Sequence, residues 1–388
     1  MLEEFREEVR VWLADNCSES LKRQGPGSEG DARERPARDD VTRWFDACYE
    51  RGWTVPGWPR EYGGAALNGE ESQILREEMN AAHAPAPLVG MGVTMIGPTL
   101  LEYGTDAQKA EHLPRIASGE VRWCQGYSEP GAGSDLASLQ TRAEDHGDYY
   151  LINGSKIWTS GADQADWMFC LVRTDPKAPK HEGISFVLFS MDDPGVTVKP
   201  IVLIAGSSAF CQCFFDDVKA LKSNLVGQEN RGWTIAKRLL QHERSSISSP
   251  GGFGGGESLV ELALRYSQTA GGTIADSDLR REVAAINMDA KALGLTQRRA
   301  TEENHSGGTP TFVTSLFKYY STELATRRSE ASIRLMGTQG VGWDGAEFSA
   351  REQATTRFWL FGKALTIAGG SSEVQLNIIA KRVLGLPD

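Results

Sequence analysis

Three stretches of the chain carry residues that could do chemistry. In the first, Ala236, Leu240, Glu243 and Ile247 recur at i, i+4, i+7 and i+11, so they share one face of a helix. Glu243 thereby interrupts an apolar stripe, where an unpaired carboxylate is costly. A carboxylate held in a dry pocket has the basicity to take a proton from carbon next to a carbonyl. The plainer alternative is a structural Glu paired with an arginine from elsewhere. Arg244 points about 100° away on an ideal helix and is not the obvious partner. His242-Glu243 is no zinc motif, because no second His follows at i+4. The second stretch, QGYSEPGAGSD at 125–135, combines glycines that let a backbone approach a flat or phosphorylated ligand with the hydroxyls of Ser128 and Ser134. The third, NGSKIWTSG at 153–161, sets an indole, Trp158, beside hydroxyls, a combination able to cover one face of an isoalloxazine ring and bond its edge. Taken alone, the second is an ordinary turn and Trp158 is core filling. No βαβ unit surrounds the glycines, so they are not a dinucleotide-fold fingerprint.

The elements that must position these residues follow from composition and periodicity. With 388 residues, 40% of them hydrophobic and 24% charged, the chain can bury two or three cores. No apolar run reaches the roughly 20 residues of a membrane span, and the acidic start MLEEFREE does not read as a signal or transit peptide. A net charge of −11 without a basic block argues against a nucleic-acid partner. Six scattered cysteines, with only Cys211 and Cys213 close and on one strand face, read as reduced structural thiols in the cytoplasm and as no metal site.

Residues 1–120 read helical, with Phe5, Val9, Trp12 and Leu13 as one stripe and a loop over 24–40. Residues 121–226 read as a β domain. Its short runs fall at 149–152, 156–158, 168–172, 184–189, 196–201 and 211–215, and Asn153-Gly154 is expected to turn a hairpin. Residues 227–388 return to helix, over 235–240, 279–299, 311–336, 350–365 and 373–384. The fold class is α+β: an N-terminal helical domain, a middle β-barrel-like domain and a C-terminal helical bundle. The helix bearing Glu243 should break in the Gly- and Pro-rich run at 245–256, which is either an ordinary loop or a wall widening a ligand site.

Together these segments resemble the acyl-CoA dehydrogenases over almost the whole chain. GWTVPGWPREYGG at 52–64, GPTLLEYGT at 97–105, AGGSSEVQLNIIA at 368–380 and LGLP at 384–387 are similar to the family's signatures and follow in the same order. The resemblance implies FAD as cofactor, with Gln125, Tyr127 and Ser128 along the flavin and Gly133 in the same cradle. It implies that Ser134 reaches the pyrophosphate or substrate, Trp158 packs on the ring, Ser160 lies near its reactive nitrogen and Gln339 sits toward the adenine end. It further implies removal of an α-proton and a β-hydride from an acyl-CoA thioester, and reoxidation by an electron-transfer flavoprotein or similar acceptor.

Many members carry the base in the C-terminal signature, where this chain has Gly369. A second branch places it on the first helix of the C-terminal domain, just before an arginine, matching Glu243 and Arg244. Glu373, in the first turn of the last helix, is a poorer candidate. The resemblance then assigns Glu243 as base, the Gly369 amide as a donor to the thioester oxygen with room beside it for a branched or sterol-type chain, and Arg244 to the carrier end of the substrate. Two family elements are missing: the pyrophosphate arginine, replaced in the stretch beginning at Ser267, and a complete Gln-x-x-Gly-Gly, reduced to MGTQG at 336–340. Those losses point to a dimer or tetramer with a related subunit, with a homo-oligomer as alternative. Flavin-dependent oxidase or reductase chemistry, or a non-catalytic subunit of a heteromer, are the other functional readings.

Overall fold

A computed structural model describes residues 2–22, 39–247, 257–267, 269–305 and 313–387; within these, the side chains of 242–247, 269–270, 301–302 and 304–305 are not described. The expected loop at 24–40 lies almost wholly outside the described residues, as does 248–256 of the expected break. The N-terminal part is helical: α1 (Leu2–Asn16), α2 (Glu19–Lys22), α3 (Asp39–Glu50), α4 (Gly69–Ala81), α5 (Gly97–Tyr103) and α6 (Asp106–Ala117). Strands follow: β1 (Trp123–Gly126), β2 (Arg142–Asp145), β3 (Tyr149–Ser160), β4 (Trp167–Arg173), β5 (Ile184–Ser190), β6 (Val196–Ile201), β7 (Phe210–Leu221) and β8 (Leu225–Val226). The remainder comprises α7 (Gly232–Ile247), α8 (Leu259–Tyr266), a small hairpin of β9 (Thr269–Ala270) and β10 (Thr273–Ile274), α9 (Ser277–His305), α10 (Val313–Met336), α11 (Ala350–Gly362) and α12 (Ser372–Ile378).

The chain forms two compact units, one of residues Met1–Ile201 and Phe210–His242, the other of Val202–Ala209 and Glu243–Asp388. In the first, the strands form one mixed sheet in the order β6-β7-β3-β2-β4-β5-β8, with β1 parallel to β4. The neighbouring strands β4 and β5 are buried on both faces, which explains why β4 reads as an unbroken apolar run. Phe169 and Leu171 point into a core shared with Ile96, Leu100, Leu113 and Ile116 of the helices and Ile235 and Leu239 of α7. Met168, Cys170 and Val172 point the other way, to Tyr150, Ile152, Cys211 and Cys213. All six cysteines are buried and unpaired. Burial pushes the Cys170 and Cys213 thiols up to about 12, so they are inert at neutral pH. In the second unit Leu259, Leu262, Val283, Ile286, Leu324 and Leu335 form the centre of a helical core.

One expectation is overturned. Asn153-Gly154 turns no hairpin; β3 runs unbroken through it for 12 residues. Gly154, at φ +148°, instead makes a bulge against β7, where the register shifts between Ile152 and Gly154. A Cβ there would come within 2.7 Å of the Thr141 hydroxyl, so close packing selects this glycine.

The aromatic segment at 52–64 and the helix entry at 97–105 meet at one contact. Trp58 lies in the first unit's core, and a Cβ added to Gly97 would come within 2.2 Å of its ring. Gly97→Ala is therefore expected to overpack this joint and lower stability by about 1–3 kcal/mol. Urea unfolding checks it, and an unchanged midpoint would show that Trp58 moves aside freely.

Candidate active site

The glycine-rich segment begins where β1 ends and is fastened from beneath by buried charge. Lys156, on β3, is 0% exposed, and Glu129 is 8% exposed. The Lys156 ammonium donates to Glu129 Oε1 at 2.8 Å and to the Tyr127 carbonyl at 3.0 Å. The same carboxylate accepts from the Gln140 N–H at 2.6 Å and the Thr141 N–H at 2.9 Å. Burial pushes the Glu129 carboxyl up, but the Lys156 charge and these hydrogen bonds outweigh it and hold the group below the ordinary carboxylate range. The far end of the segment is tied by buried Arg173, which donates to the Ala137 carbonyl at 2.7 Å and the Lys180 carbonyl at 3.0 Å. The Ile157 N–H donates to the Ser128 carbonyl at 2.8 Å, so segment and strand are joined beside Trp158.

Above these anchors the segment is open. Gly133 and Ser134 are exposed, and a Cβ at Gly131 or Gly133 would meet nothing within 4 Å. Gln125 and Ser128 are half-buried, and the buried Nε2 of Gln125 has no partner among the described residues. Tyr127 is buried edge-on against Phe169 and Phe186.

Trp158 is not core filling. It is 54% exposed, with φ +61°, and among the described residues only Phe210 stacks edge-on to it, at 6.2 Å. Alternation from the inward Lys156 would have carried Trp158 inward too. A second irregularity, between Lys156 and Thr159, shifts the pattern by one, so Thr159 takes the inward place and the indole stands out. A large aromatic residue held exposed in the left-handed region costs of order 1–3 kcal/mol, a cost that clusters at ligand sites. Ser160, half-buried, closes the strand beside it.

In the second unit, Gln339 sits half-buried in a turn at Gly337–Val341, its buried Oε1 lacking a partner among the described residues. Gly369 and Gly370 both have left-handed backbones, at φ +65° and +93°. Ser371 caps α12, and Glu373 lies in its first turn, where main-chain and Ser371 hydrogen bonds lower its carboxyl. That is the cap-type carboxylate expected from its position. Ser267 follows α8 directly, donating its N–H to the Ala263 carbonyl, and residues 269–274 form the hairpin. Glu243 and Arg244 lie in the last turns of α7, but their side chains are outside the described residues. The buried positions Ala236 and Leu239 place position 243 on the same helical face by register, seven and four residues on.

Glu129, Lys156 and Arg173 escape a reading for reactive residues because none of them faces a ligand. The available signal is Lys156 itself, two residues from Trp158 on a strand whose earlier inward positions, Tyr150 and Ile152, are apolar. At pH 7, Glu129→Gln is expected to lower stability by about 3–5 kcal/mol, since it leaves the Lys156 ammonium buried without its counter-charge. A depressed carboxyl contributes stability that is full above its unfolded pKa, about 4.3, and is lost as pH falls through the lower folded value. The gap between variant and wild type should therefore narrow below that pH; denaturant titrations across the acid range check this, and a pH-independent gap would contradict it.

The family models for the acyl-CoA dehydrogenase N-terminal, middle and C-terminal domains match residues 2–120, 124–218 and 230–384. The acyl-CoA dehydrogenase IpdE1 of Mycobacterium tuberculosis is 38% identical over 390 residues, covering 100% of this chain and 98% of that protein. Among solved structures, the Tcur3481-Tcur3483 steroid ACAD is similar at a TM-score of 0.80 and 31% identity, over 100% of this chain and 97% of that one. The ChsE4-ChsE5 complex from Mycobacterium tuberculosis aligns at 0.76 and 32%, over 100% and 98%. Members of this family are FAD flavoproteins. An open glycine cradle, an orphaned amide donor at Gln125 and an outward indole suit a flat, phosphate-bearing group. The chain belongs to the acyl-CoA dehydrogenase family and is an enzyme of that FAD-dependent kind.

Proposed function

We propose that this chain catalyses α,β-dehydrogenation of a bulky CoA thioester, branched or steroid-derived, with Glu243 as the base. The observation that carries this reading is Gly369. By the family resemblance it stands where many members carry their carboxylate, and it has no side chain and a left-handed backbone. The proton must then be taken from another element, and the register of α7 puts Glu243 on the continuation of a buried face. The absent side chain also leaves volume for a substituted acyl chain, in keeping with the likeness to a steroid ACAD.

In this proposal Gln125, Tyr127, Ser128, Gly133, Ser134, Trp158 and Ser160 hold FAD, with Gln339 at a nucleotide end. FAD, when bound, supplies the hydride acceptor for the substrate β-carbon. Glu243 removes the α-proton, the amides of the Gly369 turn receive the negative charge growing on the thioester oxygen, and Arg244 meets the carrier end of the substrate. Ser134 serves either the cofactor or the substrate from the exposed rim of the cradle. An electron-transfer flavoprotein or similar acceptor completes turnover. A related second subunit belongs to the same reading, because the sequence at 267–271 lacks a pyrophosphate arginine; the likeness to the ChsE4-ChsE5 complex lends it support. The described residues contain no helix long and apolar enough to cross a membrane, and a cytoplasmic location accompanies the reading.

Glu243→Gln is expected to lower turnover by about 10²–10⁴ while acyl-CoA binding persists. Steady-state kinetics and equilibrium binding check the pair of results, and unchanged turnover would overturn the assignment. Trp158→Gly relieves left-handed strain, so the apoprotein should melt no lower than wild type while FAD affinity falls about tenfold, as expected for loss of about 1–3 kcal/mol of aromatic stacking. Undiminished FAD affinity would remove Trp158 from the cofactor site.

A further inference from the structure

The Gly369 turn is shaped by one buried amide. Gln375, on α12, is 0% exposed. Its Nε2 donates to the Gly369 carbonyl at 3.2 Å and to the Gly370 carbonyl at 3.3 Å. Both neighbours are acceptors, which fixes the amide's orientation with nitrogen toward the turn. In a trans peptide the C=O of one residue and the N–H of the next point in opposite directions. No cis bond is present among the described residues. Drawing the Gly369 and Gly370 carbonyls toward Gln375 therefore turns the Gly370 and Ser371 N–H groups away from it. Neither N–H has an acceptor among the described residues.

Gly370 is itself selected by this arrangement. Its φ is +93°, and a Cβ would come within 2.5 Å of Gln375 Nε2. The flanks of the turn are tied separately. The Ser372 N–H donates to the Thr366 carbonyl at 2.9 Å, and the Ser372 hydroxyl donates to Glu323 at 2.6 Å. Buried Lys318 reaches the same Thr366 carbonyl at 3.4 Å. Those contacts set where the turn lies, while the direction of its central peptides depends on a single side chain.

We propose that Gln375 is a positioning residue that aims the Gly370 and Ser371 amides of this turn at the thioester oxygen. The inference rests on the role proposed above for that turn. As the α-proton leaves, negative charge develops on that oxygen, and donors fixed beforehand stabilise it without reorganising. Gln375 never touches the substrate; it holds two peptide planes from behind.

The test uses FAD-loaded protein, with its partner subunit where one is required, and two ligands. One is an unreactive acyl-CoA, with its thioester carbonyl intact. The other is the S-alkyl-CoA thioether of the same chain, in which CH₂ replaces that carbonyl. Wild type should bind the thioester about tenfold more tightly, as expected for about 1–1.5 kcal/mol from one hydrogen bond. In Gln375→Met that preference should shrink to within about threefold, with thioether affinity changed less than twofold. Turnover should fall through kcat more than through KM. Gln375→Leu also cannot donate, and carries the test if the methionine variant does not fold; it should lose the preference equally. A folded variant that keeps the wild-type preference overturns the role of Gln375. A wild type without any preference instead overturns the role proposed for the turn itself.

Discussion

The ion pair between Lys156 and Glu129 is the constraint on which the candidate cofactor site depends. Two charges almost wholly removed from water cost several kcal/mol each unless every remaining valence is met. Here they are met largely by main chain: the Tyr127 carbonyl for the ammonium, and the Gln140 and Thr141 N–H groups for the carboxylate. The pair therefore does more than neutralise itself. It fixes both sides of the glycine-rich segment to β3, and Arg173 repeats the device at the far root through carbonyls 137, 139 and 180. With both roots held, the glycines between them can stay open without the segment collapsing onto the sheet.

The same economy governs the Gly369 turn. Its left-handed glycines are held from behind by a buried amide, while the base is proposed on another helix altogether. In the proposed reading, separating the amide donors from the carboxylate is what lets position 369 be glycine. That frees the turn from a side chain that would compete with a bulky acyl group for space. In the first unit, by contrast, the strain is concentrated in Trp158, whose exposure follows from the shifted register at Lys156–Thr159.

Much of this is legible in the sequence. The helical and strand regions follow from period and punctuation, and β6 falls at the residues that the pattern marks. The inward pairing of Cys211 and Cys213 follows from period two. What could not be read is where a strand departs from its period. Asn153-Gly154 has the composition of a turn, yet pairing with β7 on both sides of it keeps the strand continuous. Trp158 looks like core by type and is thrown outward by a one-residue shift that only the partner strand reveals. Lys156 and Gln375 are polar residues whose importance lies in main-chain atoms they hold, and carbonyl directions leave no mark in a sequence.

The reaction proposed for this enzyme is dehydrogenation of a bulky CoA thioester. Its most direct test is an anaerobic titration of the FAD-loaded protein with straight-chain, branched and steroid-derived acyl-CoAs, followed by loss of the oxidised flavin absorbance. Stoichiometric bleaching is expected with a branched or steroid-derived thioester, and little with straight chains of equal carbon number. Bleaching by straight chains alone would contradict it.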